Sequence, residues 1–172
     1  MKKKTLPLCC ILGTLLATIV SAFTTQTIFH DWAAGFGVST DPNVVGANGL
    51  KNLLNFAFGI NPTLGFSGAL VFNGNFTAGG TIGNTSQPII RFEAIPNGID
   101  FRALFVRRKD FAAAGLTCTP QFSAHPPTFA DSTDTLTVLA DDGTNQIVSV
   151  HYPPFLIGKK ARFFQVQVTL AP

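Results

Sequence analysis

The chain has 172 residues, of which 46% are hydrophobic and 12% are charged. This length fits one domain or two small ones, and the charged fraction is about half the roughly 25% of an average soluble domain. The high hydrophobicity excludes intrinsic disorder, and the glycines lack the three-residue period of collagen. A polytopic membrane protein is excluded, because only the N-terminal segment is apolar enough to be considered as a membrane span.

The first 22 residues have the pattern of a secretory signal peptide. Lysines occupy positions 2–4, an apolar run follows from Leu6 to Val20, and Val20-Ser21-Ala22 offers a small-residue cleavage site. The run spans about 15 residues, short of the roughly 20 that a transmembrane helix needs. We therefore expect cleavage and export to the periplasm, the outer surface or the medium; a membrane anchor and a lipoprotein are the alternatives.

Removal of this leader takes three of the 12 basic residues and none of the nine acidic ones, so the mature chain is neutral. A neutral surface disfavours nucleic acid, which requires clustered Lys and Arg, and it disfavours anionic membranes. We expect the membrane to be involved only through the export signal. Cys118 would be the one cysteine left, which excludes an internal disulfide.

Residues 23–62 predict a helix-turn-helix segment. Apolar residues at Ile28, Phe29, Trp32 and Phe36 have helical spacing, with an end at Gly35 or Gly37. A second apolar stripe follows the turn at 41–43, and its members are Leu50, Leu53, Leu54, Ala57 and Phe58. We expect Asn48 to be its N-cap and Gly59 its C-cap.

Residues 63–172 change to a period of two and predict a β-sandwich domain. Seven strands are expected, at 69–72, 88–95, 99–107, 116–122, 136–140, 147–152 and 162–170. Pro96-Asn97-Gly98 and Asp141-Asp142-Gly143 are turn sequences that would close hairpins. Residues 74–83 are expected to form a mobile loop, and 110–115 one helical turn. The fold class is mainly β: an antiparallel sandwich of the fibronectin/Ig-like or jelly-roll-like kind.

Three segments together resemble an exported domain found in Verrucomicrobia and Planctomycetes. They are D-P at 41–42 with N-G-L-K-N-L-L-N-F-A-F-G-I-N-P at 48–62, R-R-K-D with A-G-L-T-C at 107–118, and K-K-A-R-F-F-Q-V at 159–166. The resemblance covers most of the mature chain and implies a β-rich module of a largely uncharacterised family. It implies no particular activity.

In that family the stretch after D-P resembles a calcium loop rich in Asp. Here it offers Asp41, Asn43 and Asn48, and Asn55 stands where the family has Glu. Calcium prefers six to eight oxygens, several of them from carboxylates. We therefore expect this stretch to be degenerate and the protein to need no cofactor.

Catalytic patterns are weak. No pair of histidines has metal-ligand spacing, and residues 65–69 miss the nucleophile-elbow pattern at Ala69. Glu93 and Asp100 are a conceivable carboxylate pair for glycoside hydrolysis, and Ser67 is a conceivable nucleophile. We expect no enzyme, with a glycoside or ester hydrolase as a minor alternative.

The contact candidates are aromatic and basic. Exposed Trp and Tyr stack on sugars, which singles out Trp32 and Tyr152, whereas the 17 Phe favour core packing. Phe163 and Phe164 must point to opposite faces of a regular strand. Phe163 could therefore meet a partner, but we favour the alternative that the N-terminal helices cover its face.

The densest charge cluster is Arg107-Arg108-Lys109, which is either a strand end paired with Asp110 or a docking patch. Together these patterns favour a non-enzymatic structural or interaction module of the cell envelope. Its partner would be another envelope protein or a polysaccharide, and a carbohydrate-binding module is the alternative.

Overall fold

The computed structural model describes residues 27–65, 68–153 and 163–171. The signal-peptide prediction for 1–22 and the nucleophile candidate Ser67 lie outside these residues. Within them the chain forms two short helices and nine strands. The helices are α1 at 27–36 and α2 at Asn52–Ala57. The strands are β1 Val71–Asn75, β2 Gly79–Asn84, β3 Ile89–Ile95, β4 Gly98–Arg108, β5 Leu116–His125, β6 Thr128–Asp131, β7 Thr137–Asp141, β8 Asn145–His151 and β9 Phe163–Leu170.

The strands form three antiparallel sheets. The hairpin β1–β2 stands alone, the second sheet has the order β3-β4-β8-β7, and the third has the order β6-β5-β9. The four-stranded and three-stranded sheets face each other over a shared core, as a sandwich does. The prediction of a mainly β, antiparallel fold is confirmed.

The four-stranded sheet is the middle layer, because the β1–β2 hairpin covers its other face. Side chains alternate between faces along a strand. Phe105 and Val148 therefore enter the core shared with the third sheet and the helices, while Leu104, Val106 and Ile147 enter a core shared with the hairpin. Residues 103–106 of β4 are all completely buried. Burial on both faces explains why this part of β4 is continuously apolar and does not alternate between apolar and polar residues.

Both helices end as the sequence predicts. Gly37 and Gly59 have positive φ values of 66° and 62°. The backbone N–H groups of Val38 and Ile60 each reach back five residues, to Ala33 and Asn55, at 2.9 and 2.8 Å. These are Schellman motifs, in which a left-handed residue satisfies the last carbonyls of a helix.

The predicted N-cap of α2 is wrong. The helix begins at Asn52, with Lys51 in the N-cap position and no side-chain cap. Asn48 instead accepts a hydrogen bond from the Leu50 N–H at 3.0 Å and pairs with the amide of Asn55. Asn48 thus closes a local Asx turn ahead of the helix.

The prediction of a mobile loop at 74–83 is also wrong, because β1, its turn and β2 occupy this segment. Gly74 and Gly80 lie opposite each other in the hairpin. A Cβ on Gly80 would lie 2.7 Å from the Gly74 Cα and closer still to the carbonyl oxygen of Asn73. The glycines therefore permit close approach of two backbones. The short β6 was not predicted either.

Replacing Gly80 by alanine should destabilise the protein by about 1–3 kcal/mol, the usual cost of overpacking a site that cannot relax. Urea unfolding followed by circular dichroism measures the change. Gly35→Ala is the matched control, because no atom lies within 4 Å of its Cβ position and alanine is favoured over glycine in a helix. An equal loss for both variants, or no loss for Gly80→Ala, would contradict the close-approach explanation.

Candidate functional site

In the hairpin formed by β3 and the first half of β4, charged side chains lie on one face of the sheet and apolar side chains on the other. The register places Arg91 opposite Arg102 and Glu93 opposite Asp100, and these four charges share one face of the sheet. The other face carries only apolar side chains over the same stretch: Ile90, Phe92, Ala94, Ile99 and Phe101. A half-buried sheet normally turns its polar face to water. Here the arrangement is reversed.

The charged face is covered by the β1–β2 hairpin. The Arg91 guanidinium donates to the backbone carbonyls of Phe72 and Gly74 at 2.9 and 2.6 Å and lies 5.0 Å from the centre of the Phe72 ring. The Arg102 guanidinium lies 4.7 Å from the centre of the Phe76 ring. Cations over aromatic faces are attracted by the ring quadrupole. The charges are therefore satisfied by the hairpin that covers them.

Glu93 and Asp100 are brought together, but each carboxylate has an arginine partner. Glu93 accepts from the Phe76 backbone N–H at 2.9 Å and pairs with Arg91 at 3.0 Å. Asp100 accepts two bonds from Arg102, at 3.0 and 2.8 Å. Both carboxylates are therefore engaged by side chains of their own strands, whereas glycoside hydrolysis requires two carboxyl groups placed across a substrate cleft. The geometry suits fastening of the hairpin better than acid catalysis.

The apolar face is exposed. The exposed fractions are 45% for Ile90, 64% for Phe92, 59% for Ile99 and 45% for Phe101. The rings of Phe92 and Phe101 stack with centroids 5.5 Å apart. We call these four side chains the outer apolar face. None of the four is among the contact residues that the sequence predicts. The alternation in Arg91-Phe92-Glu93 indicates a strand with one polar and one apolar face, but it does not indicate which face is covered.

A second feature is a cavity of about 600 Å³ between β5, β6 and the end of β8. Its apolar wall includes Phe122 and the predicted contact residue Tyr152, whose rings meet edge to face at 4.7 Å. Burial raises the pKa of the Tyr152 hydroxyl. Two acidic residues, Asp131 and Asp134, also line the cavity.

His151 lies at the rim of this cavity between two carboxylates. Its Nδ1 is 2.8 Å from Asp134 Oδ2, and its Nε2 is 4.0 Å from Asp100 Oδ1. Partial burial of Asp134 raises its pKa, but bonds from the His151 ring and backbone N–H outweigh this effect, so the net pKa is lowered. The sequence could not reveal this pairing, since Asp134 is 17 residues away on another segment.

The predicted basic patch is largely engaged within the fold. Arg108 forms two 2.8 Å bonds with Asp110, which lowers the pKa of that carboxyl, and it lies over the Phe56 ring. Arg107 lies 4.2 Å from the centre of the Phe111 ring, and Lys109 pairs with Asp141 at 2.9 Å. The expected pairing with Asp110 is present for Arg108, so little of the cluster is free to dock a partner.

Trp32 belongs to a cluster of rings and not to an open platform. It is half-buried and contacts Phe29, Phe36 and Phe56, with ring centres 5.3–5.8 Å away. Phe163 is 44% exposed, so the expectation that the helices cover its face is wrong. The helices pack instead in the core that Phe164 borders.

The polar side chains of the calcium-like stretch are bonded within the chain. Asp41 Oδ1 accepts the Asn43 backbone N–H at 2.8 Å, and Asn43 Oδ1 accepts the Lys51 ammonium at 3.2 Å. Asn48 is bonded to Asn55. Asn43 is therefore engaged by the Lys51 ammonium, and Asp41 supplies the single carboxylate of the set.

Within the described ranges, His, Cys, Asp and Glu form no cluster of three that could hold a metal. The Cys118 thiol has a pKa raised to about 11 by burial, which keeps it protonated and unreactive at neutral pH. None of the described helices is long and apolar enough to cross a membrane. Comparisons with protein families, curated proteins and solved structures give no match for this chain.

Proposed function

We propose that this protein is an exported, non-enzymatic interaction module of the cell envelope or extracellular space, and that the outer apolar face is its contact surface. The observation that carries the proposal is the reversed polarity of the β3–β4 hairpin. Four exposed apolar side chains lie together on one face while the neighbouring charges point inward. Contiguous exposed apolar surface marks interaction sites in soluble proteins.

The chemistry of this face favours a protein partner. No charged side chain of β3 or β4 lies among Ile90, Phe92, Ile99 and Phe101, so it offers neither a docking site for an acidic glycan nor one for nucleic acid. Rigid aromatic rings surrounded by aliphatic side chains are typical of the centres of protein interfaces. The partner therefore presents an apolar, weakly charged surface of its own.

The arrangement of the titratable groups supports a binding role over a catalytic one. The Glu93 and Asp100 carboxylates are held by arginines, and the Cys118 thiol is kept protonated. The leader-like sequence at 1–22 supports export.

A photo-crosslinking amino acid at Phe92, introduced in the producing cells, tests this proposal. Irradiation should give a discrete adduct with one envelope protein, because the ring lies within contact distance of the bound partner. The matched control places the same group at Lys51, an exposed position at the start of α2. Identical adducts from both positions, or no adduct from Phe92, would contradict the proposed contact surface.

Carbohydrate binding is the second candidate, and the 600 Å³ cavity favours it. Its volume is in the range of ligand pockets, and it combines aromatic Phe122 and Tyr152 with the acceptors of Asp131 and Asp134. Sugars require this pairing of an apolar wall with hydrogen-bonding groups.

If the cavity binds a sugar, a glycan array should show a defined set of ligands for the wild type and at least a tenfold weaker signal for Tyr152→Ala. Tyr152→Phe keeps the ring and separates stacking from hydrogen bonding by the hydroxyl. Absence of any array signal for the wild type would remove this candidate without affecting the protein-binding proposal.

A further inference from the structure

We infer that β3 pairs edge to edge with β3 of a second copy of this chain, in an antiparallel dimer whose two-fold axis passes through Phe92. The inference deepens the proposed interaction role by naming one partner. It rests on three independent features: which sheet edge is open, which way the backbone groups of that edge point, and the order of side chains along it.

β3 is the open edge of the four-stranded sheet. The opposite edge, β7, has an irregular register between Val138 and Ala140. It is also approached by β2, since a Cβ on Gly79 would lie 2.8 Å from the Leu139 carbonyl oxygen. Bulges and coverage are two of the protections that edge strands have. β3 has neither among the described residues: it is regular over seven residues, and of the described strands only β4 pairs with it.

The backbone groups of Phe92 point away from β4. The carbonyl of Phe101 accepts the N–H of Tyr152 at 2.9 Å, so it faces the β8 side of the sheet. Phe101 is the partner of Phe92 in the β3–β4 register. In an antiparallel ladder this makes them a non-hydrogen-bonded pair. The N–H and C=O of Phe92 therefore face the open edge, as do those of Ile90 and Ala94, two positions away along the strand.

The side chains of β3 are complementary to themselves about Phe92. An isologous interface requires that residue i meets j while j meets i. Centred on Phe92, the antiparallel pairs are Ile89 with Ile95, Ile90 with Ala94, Arg91 with Glu93, and Phe92 with itself. In this register each arginine lies opposite a glutamate, and each apolar side chain lies opposite another apolar side chain.

Other registers lose this match. An axis at Arg91 or Glu93 would place like charges directly opposite each other, which is destabilising. An axis at Ile90 or Ala94 keeps the backbone groups in phase but removes the Arg91–Glu93 pairs. The register about Phe92 alone satisfies the backbone, the charges and the apolar side chains together.

The dimer would join two outer apolar faces into one surface. The two copies of Phe92 become neighbours on the same face, with Phe101 of each copy stacked on its far side. The proposed contact surface is doubled without being covered, so dimerisation and the binding of another protein are compatible.

The oligomeric state tests the inference on the chain expressed with its own leader. Light scattering after size exclusion at 100 µM should give twice the chain mass. Ala94→Pro should give a monomer, because it deletes an N–H that faces the open edge while the β3–β4 ladder keeps all its bonds. Ala94→Ser keeps the N–H and should remain a dimer. A wild-type monomer at this concentration would overturn the inference.

Cysteine cross-linking tests the register and remains informative if Ala94→Pro does not fold. In a background where Cys9, Cys10 and Cys118 are serine, oxidised Phe92→Cys should form a covalent dimer, since paired Cα atoms about 5.5 Å apart suit a disulfide. Ile90→Cys alone should stay monomeric on denaturing gels, whereas a mixture of Ile90→Cys and Ala94→Cys should cross-link.

Equal cross-linking at all positions, or none at Phe92, would contradict the pairing. A monomer that still gives the single Phe92 photo-adduct with another protein would remove the dimer but leave the proposed function intact. A dimer that gives no Phe92 photo-adduct with another protein would support the β3 pairing and contradict the proposed function.

Discussion

Burial of the β4–β8 strand pair on both of its faces is the constraint on which the other features of the structure depend. One face meets the third sheet and the helices through Phe105 and Val148, and the other meets the β1–β2 hairpin through Leu104 and Ile147. A strand covered on both sides contributes apolar burial at every position, where a half-covered strand contributes at every second one. This gain is available only while the hairpin stays in place.

The hairpin is held by charges, and this has a consequence for the surface. Arg91 and Glu93 form hydrogen bonds with the backbone of β1 and of the turn that follows it. The polar face of β3 must therefore point toward the hairpin. Because side chains alternate along a strand, the same requirement turns Phe92 outward. The exposed apolar face is therefore the opposite face of the strand that holds the hairpin. Coverage of the middle layer and exposure of the apolar side chains come from the same alternation.

Sequence patterns predicted the elements whose signals are local. Glycine after an apolar stripe placed both helix ends, and the alternation in 162–170 predicted the strand β9, although it did not predict that Phe163 is left exposed. Features that depend on a third layer were missed. The glycines of 74–83 indicate flexibility unless a second strand is known to lie against them. The cavity and the Asp134–His151 pair join segments that are distant in sequence, so no local spacing of residues could predict them.

Amide hydrogen exchange followed residue by residue tests the double burial most directly. If the β4–β8 pair is the middle layer, the amides of 103–106 and 147–150 exchange only through global unfolding, and their protection is the highest in the chain. The same experiment on Gly80→Ala should lower the protection of Leu104 and Ile147. Exchange of these amides as fast as that of the short edge strand β6 would contradict a middle layer buried on both sides.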